Sequence, residues 1–278
     1  MIVDVTVLHF GNHHSGLPLS NEVSSMVGQE MFSLQGRLAA IGGGAGAIGR
    51  GAADILLRFG AKVVLFDIAE EGLKAAAEAL APAGTVTTVC GDTRTKADID
   101  RLAELTRSMG GVDILVNSVG VQRRMPLLEA TPEDLDFIWS VNVAGVFALT
   151  QTLVRQMVDK GYGKIINLCS IGSFVGLDQK TMYAISKGGL LQYTRSAAVE
   201  LARFGVRVNA IAPGYVDTPM TAGWIHTPEH EAEYLPRIPL GRYATVDDLK
   251  GSFAFLASPA SDYMTGQMLV LDGGWTIW

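Results

Sequence analysis

The sequence predicts an α/β fold, a single doubly wound parallel sheet of about seven strands with helices on both faces. Short apolar runs alternate along the chain with amphipathic stretches of helical length. Those runs are near-continuous in Val, Ile and Leu, as strands covered on both faces are, and no linker or internal repeat divides them. With 278 residues, 48% of them apolar and 18% charged, the chain has enough core for one domain of the larger kind.

Residues 1–33 are polar and irregular, broken at Gly11-Asn12 and Gly16-Leu17-Pro18, and read as an extension ahead of one domain at 34–278. Met31 offers an alternative start. The first strand is placed at 38–42 and runs through a glycine-rich turn into a helix at 48–59. A second strand at 62–66 is followed by Asp67 and a helix at 70–80. The third strand, 85–90, leads to a helix at 95–109. A fourth at 113–117 precedes a long helix at 132–159, and a fifth at 164–169 precedes a helix at 182–204. Strands at 207–211 and 267–271 flank a helix at 245–257 and complete the sheet. The uncharged run Phe137 to Val154 is interrupted by Asn142, Thr150, Gln151 and Thr152, so a packing helix is expected there rather than a membrane span.

The composition excludes several classes of partner. A net charge of -6 from 28 acidic and 22 basic residues, with no basic stripe, argues against nucleic acid and anionic membrane surfaces. Two cysteines, Cys90 and Cys169, cannot make a disulfide framework, so a reducing, cytoplasmic setting is expected. Residues 1–36 hold no Lys or Arg, and neither a secretory leader nor a transit peptide is read there. His9, His13 and His14 read as part of a polar tail. His226, Glu229 and His230 match the spacing of an inverted zinc-protease motif, but Pro228 disfavours the continuous helix it needs, and no metal site is expected.

The turn Gly42-Gly43-Gly44-Ala45-Gly46-Ala47-Ile48-Gly49 sits where a strand hands over to a helix, the place at which a dinucleotide pyrophosphate meets free helix N–H groups. Gly44-x-Gly46-x-x-Gly49 satisfies the G-x-G-x-x-G spacing, and Asp67 follows at the end of the next strand about 20 residues further on. This is the signature of a Rossmann-type site. A carboxylate at Asp67 accepts hydrogen bonds from ribose hydroxyls and repels a 2'-phosphate, and no Arg or Lys follows it directly, so NAD is expected in preference to NADP. Asp67 as a simple helix cap is the competing reading.

Tyr183 and Lys187 are four residues apart and share a helix face, with Ser170 at the end of the preceding strand. A phenol near pKa 10 exchanges protons at neutral pH only when a cation stabilises its phenolate, and Lys187 can supply that charge. The Ser170 hydroxyl can hold a substrate oxygen while Tyr183 exchanges the proton. Asn142, inside the preceding helix, can anchor a water leading from Lys187 to solvent.

On these motifs residues 34–278 resemble the short-chain dehydrogenase/reductases. Asp92 after the third strand, Asn117-Ser118-Val119-Gly120 after the fourth, Pro213-Gly214 after the sixth and Asp272-Gly273-Gly274 near the end add to the resemblance. It implies that Asn142, Ser170, Tyr183 and Lys187 form the catalytic set. It further implies that Gly43, Gly46, Ala47, Ile48, Gly49, Asp67, Asn117, Gly120, Pro213 and Gly214 belong to the cofactor site together with Tyr183 and Lys187. Asp92 and Thr93 would lie at the adenine, and Val216 and Thr218 at the nicotinamide. Two departures stand out. The family's T-G-x-x-x-G-x-G aligns as Gly42-Gly43-x-x-x-Ala47-Ile48-Gly49, and its usual Asn-Asn-Ala-Gly is Asn117-Ser118-Val119-Gly120, which loses a side-chain tie between central strands.

Gln122, Arg123 and Arg124 follow at the carboxyl edge of the sheet, where arginine suits a carboxylate. Together with the ending Asp272-Gly273-Gly274-Trp275, this stretch is similar to family members that oxidise gluconate and 2-keto-3-deoxygluconate, which implies a sugar acid. Gln179 and Lys180 are further pocket candidates, and residues 217–240, with Trp224, His226 and Tyr234, resemble the family's lid. The resemblance also implies dimers or tetramers through helices 132–159 and 182–204, with Trp275 and Trp278 extending a second contact. The same chemistry on a polyol, a cyclic ketone or a 3-oxoacyl thioester remains open. So does a silent nucleotide-binding regulatory protein.

Overall fold

The computed structural model describes residues 30–277. Most of the 1–33 extension, with His9, His13 and His14, and Trp278 at the other end, lies outside the described residues.

Seven parallel strands form one sheet in the order β3-β2-β1-β4-β5-β6-β7. They are β1 (Leu38–Gly42), β2 (Lys62–Asp67), β3 (Val86–Cys90), β4 (Ile114–Asn117), β5 (Gly163–Leu168), β6 (Val206–Pro213) and β7 (Met268–Leu271). The helices are α1 (Ala47–Arg58), α2 (Glu70–Leu80), α3 (Lys96–Ser108), α4 (Pro132–Trp139), α5 (Val146–Lys160), α6 (Thr181–Leu201), α7 (Ala222–Ile225), α8 (Pro228–Tyr234) and α9 (Val246–Ala257). The order reverses between β1 and β4, and ligands of such sheets bind at the carboxyl ends of the strands beside that reversal.

The central strands read as apolar runs because both faces are covered, whereas the edge strands β3 and β7 are only part-buried. Ala39 and Ile41 of β1 pack with Leu56, Leu249 and Phe253 on one side, while Leu38 and Ala40 pack with Leu102, Leu149 and Leu153 on the other. Asp113 pins the foot of the sheet, accepting from the Leu38 N–H at 2.9 Å and pairing with Lys160 at 2.5 Å.

The helix expected at 132–159 is interrupted. Between α4 and α5, Ser140–Gly145 winds as a π-helix. Pro132–Lys160 as a whole is long and apolar enough to cross a membrane, yet Leu149, Leu153 and Met157 are spent on the sheet. The helix expected to run to 204 ends at Leu201, and its last turn tightens into a 3-10 stretch before Gly205 at φ 75°. Residues 217–240 carry α7 and α8 and rest on an aromatic cluster. Tyr215 lies 4.7 Å from Tyr234 and 6.1 Å from both Trp224 and Trp275, ring centre to ring centre. Trp275 is part-buried at the edge of this cluster.

Candidate active site

A cleft runs along the carboxyl edge of the sheet. Its first wall is the turn between β1 and α1. Gly43 adopts φ +78°, and the Gly43 and Gly44 N–H groups donate to the Phe66 carbonyl at 2.9 and 3.1 Å. A Cβ on Gly43 would lie 2.7 Å from the Ser118 backbone, and one on Gly49 would lie 2.1 Å from the Gly43 carbonyl oxygen. Gly44 is required as well, since a Cβ there would lie 2.8 Å from Leu65 Cβ, whereas Gly46, at φ -70°, has nothing nearer than 3.3 Å. The first-turn N–H groups of α1, at Ala47, Ile48 and Gly49, have no partner within the helix, and Ala47 and Ile48 line the cleft there. The cradle is shaped for an anion against the backbone, which fits a dinucleotide pyrophosphate.

Asp67 stands at the far end of this wall. Its two carboxylate oxygens accept from the Ala45 and Ala69 N–H groups at 3.1 and 3.0 Å, so it fastens the turn and opens α2 while still lining the cleft. Asp92, Thr93 and Arg94 line the same end. The Arg94 guanidinium, at 2.5 to 3.0 Å, holds the Asp92 carboxyl below the usual carboxylate range. Thr93 is buried against Gly145, where its hydroxyl fills the space of an absent side chain.

In mid-cleft, β5 ends at Leu168 and hands over to Ser170, whose oxygen accepts from the Gly172 N–H at 3.1 Å and whose hydroxyl shares the cavity with Tyr183 and favours its phenolate. Tyr183 is in the first turn of α6 and Lys187 one turn later, its ammonium 5.7 Å from the tyrosine ring centre. Burial pushes the Tyr183 phenol up to about 12 against the opposing effect of the Ser170 hydroxyl, and burial pulls the Lys187 ammonium down to about 8. The Lys187 ammonium donates to the Leu168 carbonyl at 2.6 Å. Asn142, in the π stretch, accepts from the Val121 N–H at 2.8 Å and donates to the Val121 carbonyl and the Ser186 hydroxyl, both at 3.0 Å. A Cβ on Gly120 would stand 3.5 Å from the Lys187 nitrogen and 3.6 Å from the Asn142 oxygen, so Gly120 opens the space where the two meet.

Beyond Tyr183 the cleft continues under the 217–240 segment. Gln122, Val216, Thr218 and Trp224 line it, with Pro213 and Gly214 as its back wall. Gly214 is fixed there by its N–H bond to Leu271 at 3.0 Å. The Arg124 guanidinium lies 2.7 Å from His230 Nε2 and 5.4 Å from the Trp224 ring centre. His226 instead bridges Asp217 and Glu231 at 3.0 and 3.3 Å, so the two histidines serve different partners.

Residues 43–276 match the family model described as enoyl-(acyl carrier protein) reductase. The chain is 38% identical over 250 residues to gluconate 5-dehydrogenase of Gluconobacter oxydans, covering 89% of this chain and 98% of that enzyme. To 5-keto-D-gluconate 5-reductase of Escherichia coli it is 38% identical over 247 residues, covering 88% and 97%. Its fold matches a gluconate 5-dehydrogenase from Burkholderia cenocepacia J2315 in complex with NADP and tartrate at a TM-score of 0.86, with 34% identity, over 90% of this chain and 99% of that one. The chain belongs to the short-chain dehydrogenase/reductase family. It is an NAD(P)-dependent oxidoreductase acting on CH–OH groups.

Within this member of the family three expected contributors are placed elsewhere. The Arg123 side chain pairs with Asp134 and lies 4.5 Å from the Phe137 ring centre, outside the substrate end, because Asp134 caps α4 beside it. Gln179 sits at φ 55° with its side chain exposed, and only its carbonyl is engaged, by the Met125 N–H at 2.9 Å. Asn117 is buried beneath the cleft, where it donates to Asn167 at 2.8 Å and Thr150 at 3.0 Å. It thus supplies a tie between β4 and β5, the kind of link that Ser118 in place of asparagine was expected to forfeit. Arg50 and Met220, which the motifs did not single out, line the cleft on either side of the glycine turn. Arg50 follows Gly49 directly, so its place after the fingerprint was the available signal.

Proposed function

We propose that the protein moves a hydride between NAD and a secondary alcohol or ketone of a sugar acid such as gluconate or 2-keto-3-deoxygluconate. The observation that carries this reading is the Ser170–Tyr183 hydroxyl pair at mid-cleft, with Lys187 one helical turn behind it. In oxidation Ser170 orients the substrate hydroxyl, Tyr183 takes its proton, and Lys187 keeps positive charge beside the phenolate and holds ribose. Asn142 fixes the 118–121 segment next to Lys187 and anchors the water path to it. The nicotinamide supplies the hydride acceptor or donor, and the cleft supplies the alignment. Absorbance change with purified protein, NAD or NADP, and a panel of gluconate, 2-keto-3-deoxygluconate, neutral polyols and simple ketones tests the whole reading. Turnover confined to neutral compounds would discard the sugar acid.

The preference for NAD rests on Asp67, with Arg94 already engaged by Asp92. Asp67→Ala removes a carboxylate that opposes a 2'-phosphate, so kcat/KM for NADP relative to NAD is expected to rise about 10- to 100-fold, which is about 1.4–2.8 kcal/mol. An unchanged ratio would return Asp67 to its role as a fastener of the turn. Arg124 lies beside the cleft and Arg123 does not, so Arg124→Ala is expected to raise KM for acids about tenfold or more, while Arg123→Ala leaves it within about twofold. Equal responses would remove Arg124 from the substrate site.

The solvent-facing side chains of Trp139, Phe147 and Ile185 support a homo-oligomer built on α4–α6. Two cysteines in 278 residues, one exposed and one buried, are the usage of a reducing compartment and support a cytoplasmic setting.

A further inference from the structure

The substrate end of the cleft contains a lysine that the proton-transfer set does not use. Lys180 immediately precedes α6, three residues ahead of Tyr183, and only 4% of it is exposed. Its ammonium lies 4.6 Å from the ring centre of Trp224 and 5.0 Å from that of Tyr215. Aromatic faces attract a cation, but they repay only part of what burial of a charge costs. No Asp or Glu lines the cavity that Lys180 shares with Ser170 and Tyr183. The charge acting on it is a like one, that of Arg124, which rests on the same Trp224 ring. Natural proteins pair a buried ammonium with an anion, and here the chain provides none among the residues of the cavity.

We propose that Lys180 binds the carboxylate of the substrate, in the space it shares with Ser170, Tyr183 and Trp224. The proposal rests on the sugar-acid reading above and deepens it: the substrate class is an anionic hydroxy acid, with Lys180 selecting for the acid over the neutral polyol. Arg124, on the same indole, is the second cation at that end. Because Trp224 belongs to α7, it holds both cations against the segment that covers the cleft.

The charge state of Lys180 provides a signature. Burial, and then Arg124, pull its ammonium down to about 8. The other titratable groups around it are Tyr183 on α6, Tyr215 after β6, and His230 on α8 through Arg124. Burial raises both phenols, so neither loses its proton below pH 9. As pH rises through about 8, the free enzyme loses the Lys180 proton that acid binding requires. KM for an acid therefore rises toward tenfold per pH unit, and KM for a polyol does not.

The test compares wild type, Lys180→Met and Lys180→Arg as full-length protein with cofactor, using D-gluconate and galactitol between pH 6.5 and 9.5. The expected result is a rise of about 10- to 100-fold in KM for gluconate in Lys180→Met, with kcat and the galactitol KM within a few fold. Lys180→Arg restores gluconate binding and removes the rise above pH 8. Equal shifts for acid and polyol, or a flat gluconate profile in the wild type, would overturn the proposal, and the wild-type profile decides even if Lys180→Met fails to fold. Should the wild type oxidise only neutral alcohols, the sugar-acid reading falls by itself. Gluconate is then tried as a competitive inhibitor of galactitol turnover. Inhibition that Lys180→Met abolishes keeps the anion site, and no inhibition of the wild type removes it.

Discussion

Replacing Tyr183 by Phe is expected to lower turnover about 10³- to 10⁴-fold while cofactor affinity stays within about twofold. The ring remains, so the packing of α6 against the cleft is kept, and what is lost is the phenolic hydroxyl beside Ser170. Loss of that hydroxyl is expected to change stability by no more than on the order of 1 kcal/mol, or a few degrees in Tm. The much larger effect falls on the chemistry, because no other group in mid-cleft can exchange a proton at the same point. Ser170 is an unactivated hydroxyl accepting from the Gly172 N–H, and Lys187 has its ammonium on the Leu168 carbonyl. The direction of the pH dependence follows from the same group. Oxidation needs the phenolate, so kcat/KM for alcohols climbs with pH; reduction needs the phenol, so kcat/KM for ketones falls with pH. Burial raises the phenol to about 12 against the Ser170 hydroxyl, and the Lys187 ammonium stands 5.7 Å from the ring centre where it favours a phenolate, so Lys187→Met is expected to push the oxidation limb further toward high pH. If Tyr183→Phe keeps more than a tenth of wild-type turnover, the tyrosine is not the proton carrier.

How much of this was legible in the sequence differs from element to element. All seven strands lie within about two residues of the expected spans; in the central five, burial on both faces leaves a continuous apolar signal that needs no tertiary information, while the edge strands β3 and β7 are only part-buried. The π stretch at Ser140–Gly145 left no such signal. It is set by Asn142, whose amide bonds reach Val121 and Ser186, 21 and 44 residues away in the chain. Apolar periodicity reports which face is buried and says nothing of one polar side chain that re-registers a turn. At the substrate end the failure is of another kind. Arg123 and Arg124 are neighbours in a loop, and no period tells which one turns inward. Asp134 decides by capturing Arg123. Gln179 and Lys180 show the same ambiguity: the left-handed backbone at Gln179 turns its side chain outward and leaves Lys180 facing the cavity.

The glycine turn separates two substitutions that the fingerprint treats alike. Gly49→Ala is expected to weaken cofactor binding about 100-fold or more and to destabilise the fold by about 1–3 kcal/mol, whereas Gly46→Ala changes affinity only a few fold. A methyl on Gly49 would stand 2.1 Å from the Gly43 carbonyl oxygen and 2.9 Å from its carbon, and all three groups are backbone or fixed to it. Gly43 cannot retreat. Its own N–H is bonded to Phe66, its φ is +78°, and its α-carbon lies so close to Ser118 that a Cβ there would be 2.7 Å away. The turn is thus held between β2 and the end of β4, and the strain must be taken by the start of α1. That is where the N–H groups of Ala47, Ile48 and Gly49 are presented to an anion, and tilting them by even a few tenths of an ångström spoils the alignment on which anion binding depends. At Gly46 the nearest atom is 3.3 Å away and φ is -70°, so alanine fits with a small shift. The same contrast shows why alanine at 47 leaves the cradle standing: the contact that closes the turn runs between Gly43 and Gly49, and both are kept. Cofactor titration followed by protein fluorescence, with thermal unfolding of the same variants, measures the difference. Equal affinity of Gly49→Ala and Gly46→Ala for the cofactor would show that the pyrophosphate is held somewhere other than this helix start.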